Sequence, residues 1–180
     1  MIPETAIEKI EKLANEVALR EGVQLYDVEF VGGGQGRTLR ISIDKEGGVG
    51  VDDCANVSRG LNLLLDVEDP IPGGKYYLEV SSPGLERPLK KAWHFEKAQG
   101  KKIWVKTAKA FEAFGCTLPK IKAAKQISDV LMGLEGENLR FQVEGQDLLI
   151  PLSQIEKAKM VFDFKQGKNS KNPHQRDKNK

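Results

Sequence analysis

The residues with the clearest catalytic potential are two adjacent serines, Ser81 and Ser82, in the stretch LEVSSPGLERPL (78–89). A serine nucleophile needs a base within hydrogen-bond reach, and α/β-hydrolases place it between glycines in G-x-S-x-G. Neither serine has those glycines, and the nearest histidine in the sequence, His94, lies between two aromatic residues in a short apolar segment. A structural role for His94 is therefore favoured, and a serine hydrolase is a remote alternative.

The same stretch has the composition of a turn. Proline restricts φ and removes a backbone donor, and glycine accepts the positive φ that other residues avoid, so Ser82-Pro83-Gly84 predicts a tight turn after a strand. Pro88 restricts the chain again four residues later. We interpret the stretch as the joint between two domains, formed by Ser81, Ser82, Pro83, Gly84, Arg87 and Pro88.

The stronger chemical signal is basic. Eleven Lys/Arg and three Glu occur between Glu86 and Lys125. Alternation in KKIWVKT (101–107) predicts a strand with Lys102, Trp104 and Lys106 on one side, where an aromatic ring could stack on a base while lysines hold phosphates. Trp104 could instead cover a barrel end or a domain interface. The candidate RNA-binding face consists of Arg87, Lys90, Lys91, Lys101, Lys102, Trp104 and Lys106.

Two glycine-rich stretches resemble phosphate loops only superficially. GGGQGR (32–37) lacks the Lys-Ser/Thr ending and joins two predicted strands, so we interpret it as a hairpin loop. GGVG (47–50) could clamp a nucleic-acid backbone as the GxxG loop of KH domains does. Because Asp52 and Asp53 follow where a phosphate would lie, we favour helix-capping aspartates instead.

Charge is distributed unevenly along the 180 residues, although the net charge is only +2. Residues 1–84 contain 8 Lys/Arg and 15 Asp/Glu, which is −7; residues 85–164 carry +4 and residues 165–180 carry +5. Solvated surfaces alone would explain such runs. The asymmetry nevertheless predicts different partners for different segments.

Hydrophobic periodicity predicts a helix–strand–strand–helix–strand order for an acidic first domain, residues 1–84. Apolar residues recur at helical spacing from Ile7 to Ala18 and from Cys54 to Leu65, and alternate in three strands. Each strand offers one apolar face, so both helices are expected on the same side of the sheet. The open side is a candidate face for a basic protein partner and contains Asp27, Glu29, Asp44 and Glu79.

The remainder reads as a connector with a short helix (85–98) and a small barrel (99–164). Five short strands are predicted, in KKIWVKT, DVLMGL, NLRFQVE, DLLI and KMVFDF, and closure into a barrel would remove their exposed edges. A Lys- and Ala-rich insertion, residues 108–128, interrupts them as a long loop with some helix. Residues 165–180 are too polar to fold alone and are expected to be disordered.

Several classes are disfavoured. Cys54 and Cys116, with only His94 and His174, do not have the number or spacing for a metal cluster or a redox pair. No apolar run approaches the roughly 18 residues of a membrane span, and the acidic N-terminus is unlike a signal peptide. We expect a cytoplasmic protein without cofactor or metal.

With these blocks in view, the sequence resembles the bacterial ribosome maturation factor RimP family. The resemblance covers about residues 13–164 and rests on LYDVEF, LRISID, VDDCANVSRGLNLLLD, YYLEVSSPGLERPL, HFEKAQGKKIWVKT and IPLSQIEKAKMVFDF. It departs from the family at residues 108–128, which are longer than the usual connection, and at Glu86, where Asp is common.

The resemblance implies an α/β N-terminal domain followed by a C-terminal SH3-like barrel. It further implies a non-catalytic factor for assembly of the small (30S) ribosomal subunit, acting with basic ribosomal protein twelve and nearby rRNA, without cofactor or metal. We expect a monomer. A general RNA chaperone without a ribosomal protein partner remains the alternative.

Overall fold

The computed structural model describes residues 3–32 and 36–162. The predicted GGGQGR loop therefore falls partly, and the predicted basic tail wholly, outside the described residues. The chain divides into two compact units, residues 1–84 and 85–180.

The first unit has the predicted order of elements. They are α1 (Glu4–Arg20), β1 (Gln24–Val31), β2 (Thr38–Asp44), α2 (Val51–Glu68) and β3 (Tyr77–Ser81). β2 lies in the centre of the three-stranded sheet, antiparallel to β1 and parallel to β3. The parallel pair requires a crossover, which α2 supplies.

One core unites both helices with the sheet. From β2 it takes Leu39, Ile41 and Ile43, which alternate along the strand and are fully buried. The helices contribute Ile10, Ala14, Val17, Val57, Leu61 and Leu65 to the same core. Because one side of β2 faces residues of both helices, the sheet is covered on one side as its alternation predicts.

The helices approach closely at Gly60 of α2. A Cβ built on Gly60 would lie 2.9 Å from Cγ1 of Val17, a separation that real side chains do not show. Glycine therefore allows α1 and α2 to pack at this point, although it weakens a helix interior by roughly 0.5–1 kcal/mol relative to alanine.

The start of α2 differs from the sequence interpretation. The helix begins at Val51 with Gly50 as its N-cap residue, so Asp53 occupies the third helical position rather than the cap. Its Oδ2 atom accepts a hydrogen bond from the Gly50 backbone N–H at 2.8 Å. An acidic side chain at this position satisfies a terminal donor and complements the helix dipole. Asp53 therefore caps the helix although it lies within the first turn.

The second unit contains a short helix and a five-stranded antiparallel sheet. Its elements are α3 (Ala92–Lys97), β4 (Lys102–Thr107), β5 (Gln126–Glu135), β6 (Asn138–Val143), β7 (Gln146–Pro151) and β8 (Ile155–Met160), with 3₁₀ turns at Phe111–Phe114 and Leu152–Gln154. The strand order is β7-β6-β5-β4-β8. The last strand, β8, begins at Ile155, four residues before the predicted strand KMVFDF (159–164). Ile155 and Ala158 pack into the core of the second unit and belong to this strand.

β5 pairs with two different strands along its length. Residues 126–130 pair with β4, and residues 131–135 pair with β6, with a register shift between Leu131 and Gly133. An irregularity of this kind bends a strand and increases its twist. Within residues 85–162, β7 and β8 are the two edge strands and do not pair with each other, so strand pairing does not close the sheet.

The segment 108–128 is packed rather than looped out. Phe111 is fully buried and Cys116 is 5% exposed, both in the core of the second unit. The segment also pairs with itself, since the Phe111 N–H donates to the Ala124 carbonyl at 3.0 Å and the Glu112 N–H donates to the Lys122 carbonyl at 2.8 Å. Its last three residues belong to β5.

Candidate protein and nucleic-acid interfaces

The uncovered side of the first sheet carries a row of alternating charges. The strand registers place Arg40 of β2 between Glu29 of β1 and Glu79 of β3. Arg40 donates from Nε to Oε1 of Glu79 at 3.0 Å and from Nη2 to Oε2 at 3.3 Å. This two-point hydrogen bond and the Glu79 charge raise the pKa of Arg40, with a smaller contribution from Glu29.

The predicted acidic face is therefore not uniformly acidic. The sequence interpretation did not include Arg40 in this face, and the pairing of β2 with both β1 and β3 brings it between the two glutamates. Glu29 is half-buried and Glu79 is exposed, while Asp44 ends β2 in a half-buried position. The face thus presents carboxylates around a central guanidinium.

Asp27 requires a correction, because it is only 7% exposed. It keeps the predicted side of the sheet, opposite Ser42, but β1 shifts register between Leu25 and Asp27. The irregularity breaks the two-residue alternation, and Leu25, Tyr26 and Asp27 are buried in succession. Asp27 is consequently not an accessible carboxylate for a partner.

The second unit carries a basic face on the outward side of β4. Lys102, Trp104 and Lys106 are exposed or half-buried and alternate with the buried Ile103, Val105 and Thr107, as predicted. β8 lies beside β4 and extends this face, since Lys159 is opposite Trp104 and Lys157 is opposite Lys106. We call this set the basic face: Lys102, Trp104, Lys106, Lys157 and Lys159.

The two lysines of β8 were missed by the sequence interpretation. Their spacing in IEKAKM places them on one side of a strand, so the local signal was present. What the sequence did not reveal is that the last strand pairs with β4 rather than with its neighbour β7.

Two ion pairs lie on or beside the basic face. Lys106 Nζ is 2.8 Å from Glu156 Oε2, and Lys159 Nζ is 2.7 Å from Glu86 Oε2. The hydrogen bond and charge of Lys106 lower the pKa of Glu156, and the charges of Lys125 and Lys157 act in the same direction. Exposed pairs of this kind contribute little to stability, so either lysine can exchange its carboxylate for a phosphate at small cost.

The other candidate RNA-binding residues occupy different places in the second unit. The segment containing Arg87 lies along β8, since the Met160 N–H donates to the Arg87 carbonyl at 3.0 Å. Lys90 is exposed and Lys91 precedes the first residue of α3. Lys101 is exposed immediately before β4.

The predicted joint contains the expected turn. Gly84 has φ of +75°, in the left-handed region that its position after Pro83 predicted. Ser81 ends β3 and Ser82 is exposed. The division between the two units falls directly after Gly84.

His94 is a structural histidine. It is 2% exposed, and its Nδ1 atom accepts hydrogen bonds from the backbone N–H groups of Lys90 and Lys91 at 3.0 and 3.2 Å. The imidazole thus satisfies backbone donors at the start of α3. This use of the ring agrees with its expected structural role.

Within residues 3–32 and 36–162, no group of three or more His, Cys, Asp or Glu side chains is arranged to hold a metal ion. Burial, with a contribution from Asp53, raises the pKa of the half-buried Cys54 thiol. In the described part of the chain, no helix has both the length and the apolar character needed to cross a bilayer.

The first unit also matches a known family. Residues 13–86 match the RimP N-terminal domain, from the second half of α1 to the turn after β3. The match supports a general role in ribosome maturation and association with a ribosomal subunit. Over these residues the chain is therefore similar to the N-terminal domain of the RimP family.

Proposed function

We propose that the chain is a non-catalytic, cytoplasmic maturation factor for the small (30S) ribosomal subunit, and that it binds a basic small-subunit ribosomal protein and neighbouring rRNA. The basic face carries this proposal, because four lysines and a tryptophan occupy one side of two adjacent strands. Lysines supply sequence-independent affinity for phosphate, and an aromatic ring can stack on any base.

The first unit is the proposed site for the ribosomal protein, with protein twelve of the small subunit as the expected partner. Its net charge of −7 attracts a basic protein and repels phosphate. Glu29, Glu79 and Asp44 are the carboxylates proposed for this contact, now without Asp27. The chain is proposed to act as a monomer.

The second unit is the proposed SH3-like barrel. Its five short antiparallel strands and the bend in β5 support this assignment. A barrel would hold β4 and β8 side by side on a rigid scaffold, which is the arrangement that joins their lysines into one face.

The experiment is a salt titration of binding to small-subunit precursor particles. Full-length protein is compared with a triple Lys→Gln variant of the basic face, changed at Lys102, Lys106 and Lys157. If each lysine contacts one phosphate, the slope of log Kobs against log salt should fall by about 2 to 3. A matched variant with glutamine at the exposed Lys12, Lys75 and Lys122 should keep the original slope; equal slopes for both variants would contradict the proposal.

A general RNA chaperone is the alternative, and the same proteins distinguish it. A chaperone should bind bare rRNA as tightly as precursor particles and should not bind isolated ribosomal protein twelve. The proposed factor should prefer the particles and should bind the ribosomal protein through its acidic unit. A serine hydrolase is the remaining alternative, and a hydrolytic activity lost in Ser82→Ala would be needed to support it.

A further inference from the structure

A cavity opens beside the basic face within the second unit. It has a volume of about 610 Å³ and is lined by the apolar side chains of Leu89, Phe95, Leu152 and Ile155 together with Trp104. Ligand sites in proteins typically measure about 300–1,000 Å³ and are mainly apolar with a few polar groups. The cavity is therefore large enough to receive a group of nucleotide size.

Charged side chains also line this cavity. Lys90, Lys157 and Lys159 contribute three ammonium groups, and Glu86 and Glu156 contribute two carboxylates. Glu86 is paired with Lys159, and Glu156 with Lys106 of the basic face. An apolar cavity with an excess of lysine fits a ligand that is flat and apolar at one end and anionic at the other.

We propose that this cavity holds one unpaired RNA nucleotide, with its base against the Trp104 indole and its phosphates at the lysines. Trp104 lines the cavity and is half-buried, so the residue is not wholly covered by packing. Aromatic rings bind bases through stacking, which tolerates any sequence but requires the base to be out of a duplex. The proposal rests on the proposed function and assigns single-stranded RNA to its basic face.

Charge argues against two other occupants. The proposed ribosomal protein partner is basic, so the excess of lysine around the cavity disfavours it. The carboxy-terminal segment 165–180 of this chain has a net charge of +5 and is disfavoured for the same reason. An RNA strand instead brings its negative charge to the lysines.

Trp104 itself can report binding. The sequence contains two tryptophans, so a Trp93→Phe background leaves Trp104 as the single fluorophore. Full-length protein is titrated with a ten-nucleotide single-stranded RNA and with a duplex of the same sequence. The single strand should quench Trp104 fluorescence with saturation, and the duplex should not. Equal quenching by both would overturn the proposal, because a paired base is unavailable for the cavity.

Affinity is then measured by a method that does not depend on tryptophan. Trp104→Ala should weaken single-strand binding about 10-fold, and Trp104→Phe should retain most of the affinity. Ala92 is exposed and lines the cavity, so Ala92→Phe should fill it without disturbing the core and should cause a similar loss. Ala113→Phe, at an exposed alanine that does not line the cavity, is the matched control.

The outcomes separate this proposal from the proposed function. If Ala92→Phe binds RNA like Ala113→Phe while the triple Lys→Gln variant still loses affinity for precursor particles, the cavity assignment is wrong and the basic face stands. If the triple variant also behaves like its control, the basic face itself is wrong. Weaker binding of Ala92→Phe to ribosomal protein twelve, with RNA binding unchanged, would assign the cavity to a peptide instead.

Discussion

The two units expose strand faces that are built alike but differ in charge. In the first unit, Arg40 lies between Glu29 and Glu79 on three adjacent strands. In the second, lysines from β4 and β8 surround Trp104. Each face contains an ion pair, Arg40–Glu79 in one and Lys106–Glu156 in the other. After these pairs are counted, carboxylates remain in excess on the face of the first unit and lysines on the face of the second.

This difference shows that a count of charged residues is a poor guide to a binding surface. The acidic unit places a cation at the centre of its carboxylates, so its field is weaker at the face than the charge of −7 suggests. The basic face gains two lysines from a strand far away in sequence. Pairing between strands therefore makes the face of the first unit less acidic and the face of the second unit more basic than either sequence segment suggests.

The largest expected effect is on the basic face. Reversal of three lysines to glutamate should weaken binding to an rRNA fragment about 100-fold or more at low salt, while binding to ribosomal protein twelve is retained. The positions are Lys102, Lys106 and Lys157. Filter binding and calorimetry measure the two affinities. The same reversal at Lys12, Lys75 and Lys122 controls for net charge, and a comparable loss there would show that no particular face binds RNA.

The turn between the units should show the next largest effect, on stability. Gly84→Val places a β-branched residue at φ of +75° and should lower the free energy of unfolding by about 1 to 3 kcal/mol. Gly36→Val is the matched control, since a Cβ meets nothing within 4 Å at either glycine and Gly36 does not have a positive φ. Urea unfolding measures both variants. Gly34, in the predicted hairpin loop, lies outside the described residues and does not serve this purpose.

Gly84 lies outside the basic face, so its substitution should change stability and not RNA binding. A loss of RNA binding in Gly84→Val would show that the basic face does not bind RNA independently of this turn. We expect its affinity for RNA per folded molecule to be unchanged. Equal stabilities of the Gly84 and Gly36 variants would show that the positive φ carries no cost.

Substitutions on the acidic face should change the affinity for the ribosomal protein in two opposite directions. Glu79→Lys should weaken binding of ribosomal protein twelve about 10-fold, because it removes one carboxylate and places a second cation beside Arg40. Arg40→Gln should strengthen that binding, since it removes the cation from the centre of the face. Both effects should shrink as salt is raised. Calorimetry at two salt concentrations tests them, and a loss of affinity in Arg40→Gln would mean that the Arg40–Glu79 pair is itself recognised.

The smallest expected effect is the dependence of the first unit on pH. Asp53 accepts hydrogen bonds from Lys45 Nζ and from the Gly50 N–H, each at 2.8 Å, and these lower its pKa below the ordinary value of 3.8. A carboxylate with a lowered pKa stabilises the fold above its unfolded-state pKa and loses this contribution as pH falls through the folded value. Asp53→Asn should therefore lower Tm at pH 7, with the deficit shrinking below about pH 4.

Asp52→Asn provides the control for this experiment. Asp52 is exposed one position earlier in the same helix turn, so it shares the helix dipole with Asp53. Its substitution should have the smaller effect at pH 7. A deficit in Asp53→Asn that persists unchanged at pH 3 would indicate lost packing rather than lost charge.

The sequence by itself determined the local structure of this protein. Side chains spaced at 3.6 residues indicated α1 and α2, and alternating side chains indicated β1 to β4, because these periods follow from the backbone geometry of a single element. Turn residues between short apolar runs indicated β5 to β7. The turn at Gly84 was equally local, since proline and glycine restrict their own φ. The uneven charge and the outward position of Trp104 followed from the same patterns.

Only the tertiary structure decided which elements became neighbours. Alternation does not state that β2 pairs with β3 around Arg40, or that β8 pairs with β4 and brings Lys157 and Lys159 to Trp104. It also does not reveal the irregularity in β1, the burial of Asp27, or the packing of Phe111 into the second core. Strand pairing and burial depend on contacts between residues far apart in sequence, whereas periodicity reports only on residues within one element.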